Sequence, residues 1–145
     1  DWQMPLLPNP DAQAWLDVDQ PGALRHGWWL KAEILEILHE NRFNAVENLT
    51  LNEALLDYDL LEMPLLIRGR TAGDRWQPLG MPDHTQKLKD FFINEKIPVH
   101  LRDVWPLVSS GEDIAWVVGL RPSEIFKVTQ KTKRILHLRL IRKIA

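Results

Sequence analysis

The stretch from Arg68 to Pro98, RGRTAGDRWQPLGMPDHTQKLKDFFINEKIP, restricts the fold more than any other part of this chain. It joins a strand end to a glycine-containing loop, and then to an amphipathic helix that a proline must stop. Arg68 and Arg70 lie two apart, so on a strand they share a face, and Arg75 follows in the loop beside Trp76. Leu88, Phe91 and Phe92 form an apolar row that the aliphatic stem of Glu95 prolongs, with Lys87, Lys89 and Lys96 along its margins. Thr85 is the expected N-cap of a helix running from Gln86 to Lys96. Basic groups interleaved with aromatics on a loop and helix suit an anionic polymer better than a small neutral ligand.

Around this stretch the elements read as strands, then helices, then strands. Residues 1–27 carry Pro5, Pro8, Pro10 and Pro21 with Gly22 and Gly27, which leaves little room for a helix and reads as a linker packed through Trp2 and Trp15. WWLKAEILEIL, from Trp28 to Leu38, is read as a strand in preference to a helix, and the polar run after it as a long loop. ALLDYDLLEMPLLIRG yields two short strands, Ala54 to Tyr58 and Leu65 to Arg70, joined by a turn carrying Asp59 and Pro64. A second short helix is expected from Pro98 to Val104. PLVSSGEDIAWVVG is a hairpin turning at Ser109 to Glu112, and KRILHLRLIRK a final strand buried through Ile135, Leu136, Leu138, Leu140 and Ile141. The expected class is α+β: a mixed or antiparallel sheet with two short helices in the C-terminal half, preceded by a small strand-rich segment.

The 145 residues, 45% of them hydrophobic, suffice for one ordinary core or two very small ones sharing a boundary. Cysteine is absent, which excludes disulfides and thiolate metal sites and favours a reducing, cytoplasmic setting. No apolar run approaches the roughly 20 residues of a membrane span, so no membrane partner is expected. The chain opens on Asp1 rather than Met, as a piece of a longer protein would. Its net charge of −2 hides a division. Residues 1–62 set three basic groups against twelve carboxylates, a net of −9, while residues 63–145 set fifteen against eight, a net of +7. The expected organisation follows that division: an acidic linker and strand-rich subdomain over 1–62, and a basic domain over 63–145 that is the candidate binding surface.

Catalytic chemistry finds no footing in the residues. The five histidines, His26, His39, His84, His100 and His137, sit in no nucleophile motif, and no two lie three or four apart as zinc ligands on a helix would. Two Asp-x-Asp pairs, Asp17/Asp19 and Asp57/Asp59, leave two readings open, a shared Mg²⁺ or turn and strand-end residues. The second is favoured, because a hard cation needs further oxygen ligands and none is nominated. Gly73 and Gly80 permit positive φ or close backbone approach, yet no Gly-Lys-Ser/Thr follows to make a phosphate loop. Catalytic and metal residues are therefore expected to be none. Phosphate binding has better candidates: Arg68, Arg70, Arg75, Lys87, Lys89, Arg102, Arg121, Lys127, Lys131 and Lys133, all after the charge switch. A basic face that only keeps the domain solvated is the competing reading. Trp76 and Trp105 offer stacking surfaces, though burial is the commoner role of tryptophan.

Several blocks, in order, carry a resemblance: RGRTAGDRWQPLG, then KLKDFF, KIP, RDVWPL, WVVG and KVT. Together they resemble the C-terminal domain of bacterial tRNA(Ile)-lysidine synthetases, over about Leu56 to Leu140. The family's loop runs Arg-x-Arg-x-Pro-Gly-Asp-Arg-Phe-x-Pro-Leu-Gly, so Ala72, Trp76 and Gln77 depart from it, as do Val99 and His100 where basic residues are common. The resemblance implies a parent enzyme that uses ATP to join lysine to the wobble cytidine of the isoleucine tRNA. In that family catalysis, with its ATP and Mg²⁺, belongs to an N-terminal domain whose Ser-Gly-Gly-x-Asp-Ser loop has no counterpart here. This piece is then expected to hold no cofactor, to be inactive alone, and to contact tRNA and its own N-terminal catalytic domain. Gly73, Asp74, Trp76 and Gly80 are expected to shape the loop. The alternative is a docking or dimerisation scaffold without RNA contact, with a homodimer left open.

Overall fold

The structure, a computed structural model, describes residues 3–37 and 49–143. Among these residues the chain forms β1 (Ala14–Leu16), β2 (Gly22–Ala23), β3 (Trp28–Glu36), β4 (Glu53–Asp57) and β5 (Leu65–Arg68). The ribbon strands β6 (Arg75–Trp76) and β7 (Gln86–Lys87) lead into the helices α1 (Leu88–Asn94) and α2 (Val99–Arg102). β8 (Leu107–Ser110), β9 (Asp113–Val117), β10 (Arg121–Pro122) and β11 (Arg134–Arg142) complete it. One sheet has the order β1-β5-β8-β9-β10 and a second the order β2-β3-β11-β4, while β6 and β7 pair only with each other. Every pairing is antiparallel, and with its two short helices the fold is α+β.

A single apolar cluster joins the sheets to α1. Leu16 on β1, Leu30 on β3, Leu56 on β4, Leu65 on β5, Leu107 on β8, Trp116 on β9 and Leu138 on β11 all belong to it, together with Leu88 and Phe92. Each of these side chains is less than 2% exposed, and burying one of that size contributes about 1.5–3 kcal/mol. The β8–β9 hairpin forms because its flanks are buried on both faces and Gly111 adopts φ +56°, where a side chain would run into the Glu62 carboxylate.

Three expectations are corrected. The charge boundary at residue 62 is not a boundary of the fold: β11, from the basic half, lies between β3 and β4, and β1, from the acidic half, pairs with β5. Residues 3–27 are not a linker. Trp15 is 54% exposed, while Leu6, Leu7, Leu16 and Leu24 go inside and the Leu7 N–H donates to the Val104 carbonyl at 2.9 Å. Trp2 and the polar run over 38–48 lie outside the described residues. Finally, the two strands of ALLDYDLLEMPLLIRG end earlier than expected, at Asp57 and Arg68, and go to different sheets, with a 3₁₀ turn at Tyr58–Leu60 between them.

Candidate nucleic-acid interface

Beyond β5 the chain must double back to start β6, and a part-buried ion pair fixes how. The Arg68 guanidinium donates from Nη1 to Asp74 Oδ2 at 3.0 Å and from Nη2 to Oδ1 at 3.4 Å. The Thr71 N–H reaches the same carboxylate at 2.8 Å, and the Leu88 N–H donates to the Asp74 carbonyl at 2.9 Å. Burial alone would raise the Asp74 carboxyl, but the Arg68 and Thr71 hydrogen bonds outweigh it and hold the group below its usual range. Asp74 thus ties the loop after β5 to the first residue of α1. Gly69 allows the approach, since a Cβ there would meet the Asp103 and Pro10 carbonyls at 2.9 Å. Gly73 and Gly80 both take positive φ, +83° and +98°.

The ribbon places Arg75 opposite Lys87 and Trp76 opposite Gln86. Pairing of Gln86 and Lys87 delays the helix to Leu88, so Thr85 is not its N-cap and instead accepts a hydrogen bond from Arg75 Nε at 3.1 Å. Phe91 and Phe92 turn inward, and Trp76 meets Phe91 edge-on at 5.0 Å. Trp76 and Trp105 are 4% and 7% exposed, which removes both as stacking platforms for bases. Trp105 donates its indole N–H to the Val118 carbonyl at 2.9 Å, whereas the buried Trp76 indole N–H has no partner.

Loop, ribbon, α1 and α2 enclose a groove of about 690 Å³. Five of the ten sequence candidates line it: Arg70, Arg75, Lys87, Lys89 and Arg102. Arg70 pairs with Asp103 at 2.8 Å, and Arg102 donates from Nε to the Ile97 carbonyl at 2.9 Å. Arg75, Lys87, Lys89 and Arg102 face no carboxylate partner among the described residues, and the groove's other acid, Asp74, is neutralised from behind by Arg68. Arg68 itself is only 13% exposed, so its role is corrected from phosphate contact to holding Asp74. The remaining four candidates lie off the groove. Arg121 stacks over Phe91 at 5.6 Å and sits 3.9 Å from Glu95, Lys127 pairs with Glu124, and Lys131 and Lys133 are exposed in the turn before β11.

Sequence reasoning treated Val99 only as a lost charge. It lines the groove and is 70% exposed, a placement signalled only by its position just after Pro98. Among the described residues no three His, Asp or Glu side chains come together as a metal site. Asp57 accepts from the Thr132 hydroxyl at 2.8 Å and from the Asp59 N–H at 3.1 Å, which is the strand-end role. Among the described residues no helix is long and apolar enough to cross a membrane.

A model of the TilS substrate C-terminal domain family matches residues 65–140, from β5 into β11 and across the whole groove. The chain belongs to the TilS substrate C-terminal domain family. Relatives place this C-terminal domain in longer proteins. The tRNA(Ile)-lysidine synthase of Caldanaerobacter subterraneus subsp. tengcongensis is 44% identical over 106 residues, 73% of this chain but 22% of that protein. That of Clostridium tetani is 48% identical over 84 residues, 58% of this chain and 18% of that protein. The chain therefore spans about a fifth of the length of these curated relatives. A crystal structure of a TilS C-terminal domain superimposes with a TM-score of 0.72 at 28% identity, covering 92% of this chain and 100% of that one. An N-terminal fragment of the phenylalanyl-tRNA synthetase β-subunit from Pyrococcus horikoshii shares the fold alone, with a TM-score of 0.61 at 17% identity over 79% of this chain and 40% of that one.

Proposed function

We propose that this domain is the noncatalytic tRNA-binding region of a tRNA(Ile)-lysidine synthetase, a ligase whose ATP-dependent chemistry on the wobble cytidine resides in a separate catalytic domain. One observation carries the reading. Arg75 and Lys87 stand directly opposite each other on a two-residue ribbon, both exposed and neither facing a carboxylate. Like charges in that position cost stability. Phosphates brought into the groove would relieve the cost, and Lys89 and Arg102 add to the same field. The domain would hold the backbone of folded tRNA by charge and shape while the catalytic domain meets the anticodon, in the cytoplasm where tRNA is modified.

Salt dependence tests this directly. With about four phosphates neutralised, log K for tRNA against log salt falls with a slope of roughly −3 to −4. A flat response overturns the reading. Reversing Lys87 and Lys89 together to Glu abolishes binding with an unchanged far-UV CD spectrum, because both side chains are exposed and unpaired. The alternative, a docking or dimerisation scaffold, rested on an acidic half meeting a basic half. Part of that charge is met within the molecule, where Arg134 pairs with Asp59 and Arg139 with Glu33, and the His137 ring lies in hydrogen-bond contact with Glu53.

A further inference from the structure

Charge explains why the groove attracts RNA, but not why it is concave and partly apolar. At about 690 Å³ it has the size of a small-ligand pocket, not of a track along a double helix. Its cations come from three directions: Arg70 and Arg75 from the loop and β6, Lys87 and Lys89 from β7 and α1, Arg102 from α2. Between them lie Ala72, exposed in the loop, and Val99, 70% exposed at the start of α2, with Leu88 beneath. A lone exposed valine needs no explanation. One set among four cations without carboxylate partners, inside a concavity, differs, because the phosphates along a duplex present nothing apolar for it to meet.

We infer that the groove takes a single nucleotide carried outside the double helix, an unpaired or terminal unit of RNA. Its phosphate lies on the Arg75–Lys87–Lys89 side and its ribose and base lie against Val99 and Ala72. Bases that leave the helix are splayed out and bare the faces and edges that bases within an A-form duplex keep stacked and paired. A terminal phosphate strengthens the match, since it carries about −1.5 to −2 charges at neutral pH against the single charge of an internal one. This inference rests on the tRNA-binding reading and adds to it what part of an RNA the groove accepts.

Fluorescence anisotropy with a short RNA duplex, blunt or bearing a single-stranded extension, tests it at one fixed salt concentration. The extended duplex is expected to bind about tenfold more tightly, equivalent to roughly 1.4 kcal/mol. Val99→Gln removes the apolar contact without altering charge, and is expected to bring the two affinities together. Melting of the variant checks its fold. Equal binding of both RNAs by the unaltered protein, or a preference that survives Val99→Gln, overturns the inference but leaves the tRNA-binding reading standing. Failure of both RNAs to bind overturns both.

Discussion

Asp74 shows how one carboxylate can define a surface it does not itself present. Its side chain, 15% exposed, meets Arg68 and the Thr71 N–H, and its backbone carbonyl takes the first N–H of α1. Asp74→Asn leaves Arg68 half-buried with a weakened partner, and should cost about 1–3 kcal/mol in urea unfolding at neutral pH. The pH dependence has a fixed sign. The folded carboxyl is depressed below its unfolded value of about 3.9, so its stabilisation is complete above that value and is lost as pH falls through the folded pKa. The gap between wild type and Asp74→Asn therefore narrows in acid. Two tryptophans give a paired prediction. Trp105→Phe strands the Val118 carbonyl and should destabilise more than Trp76→Phe, which removes an indole N–H that had no partner, by about 1–3 kcal/mol.

At the scale of elements, a two-residue ribbon overrides helix propensity. Gln86 and Lys87 are good helix formers, yet pairing with Arg75 and Trp76 takes them and leaves α1 to begin without a side-chain cap. The ribbon then carries an Arg75–Lys87 juxtaposition that is unfavourable for folding and that the proposed binding of phosphates would relieve. Lys87→Thr relieves the repulsion and puts a strand-favouring residue on the ribbon. It should leave stability unchanged or raise it by up to about 0.5 kcal/mol while weakening tRNA binding. Thermal melting and a binding isotherm on the same sample check both halves. A loss of stability would mean that the two charges are not in conflict.

The molecule as a whole is held together by strands that cross its charge division. β11 makes nine paired positions with β3 and five with β4, and its His137 and Arg139 reach Glu53 and Glu33 on those neighbours. The Arg139 hydrogen bond holds the Glu33 carboxyl below its ordinary value. At Glu53 burial works in the opposite direction, and hydrogen bonds from Thr50 and His137 overcome it. Residues 63–145 expressed alone lose β3 and β4, leaving Leu136 and Leu138 of β11 without the strands that flank them. Such a fragment should show no cooperative thermal transition by circular dichroism, whereas the whole chain melts in one step. A cooperative melt of the fragment would restore residue 62 as a domain boundary.

Local pattern alone specified much of this protein. The alternation in Trp28 to Glu36 and in Arg134 to Arg142, the glycine turn of the β8–β9 hairpin, and the apolar row of Leu88, Phe91 and Phe92 all depend on near neighbours. So did the gathering of basic groups after residue 62, which put the groove's cations among the candidates. What the tertiary structure decided was every choice of partner over long range. It sent β4 and β5 to different sheets, turned Arg68 inward onto Asp74, buried Trp76 and Trp105, and set Glu33, Glu53 and Asp59 of the acidic half against β11. Composition counts charges without regard to where they lie. Which arginine is neutralised and which faces solvent depends on residues brought together from distant parts of the chain, and only packing brings them together.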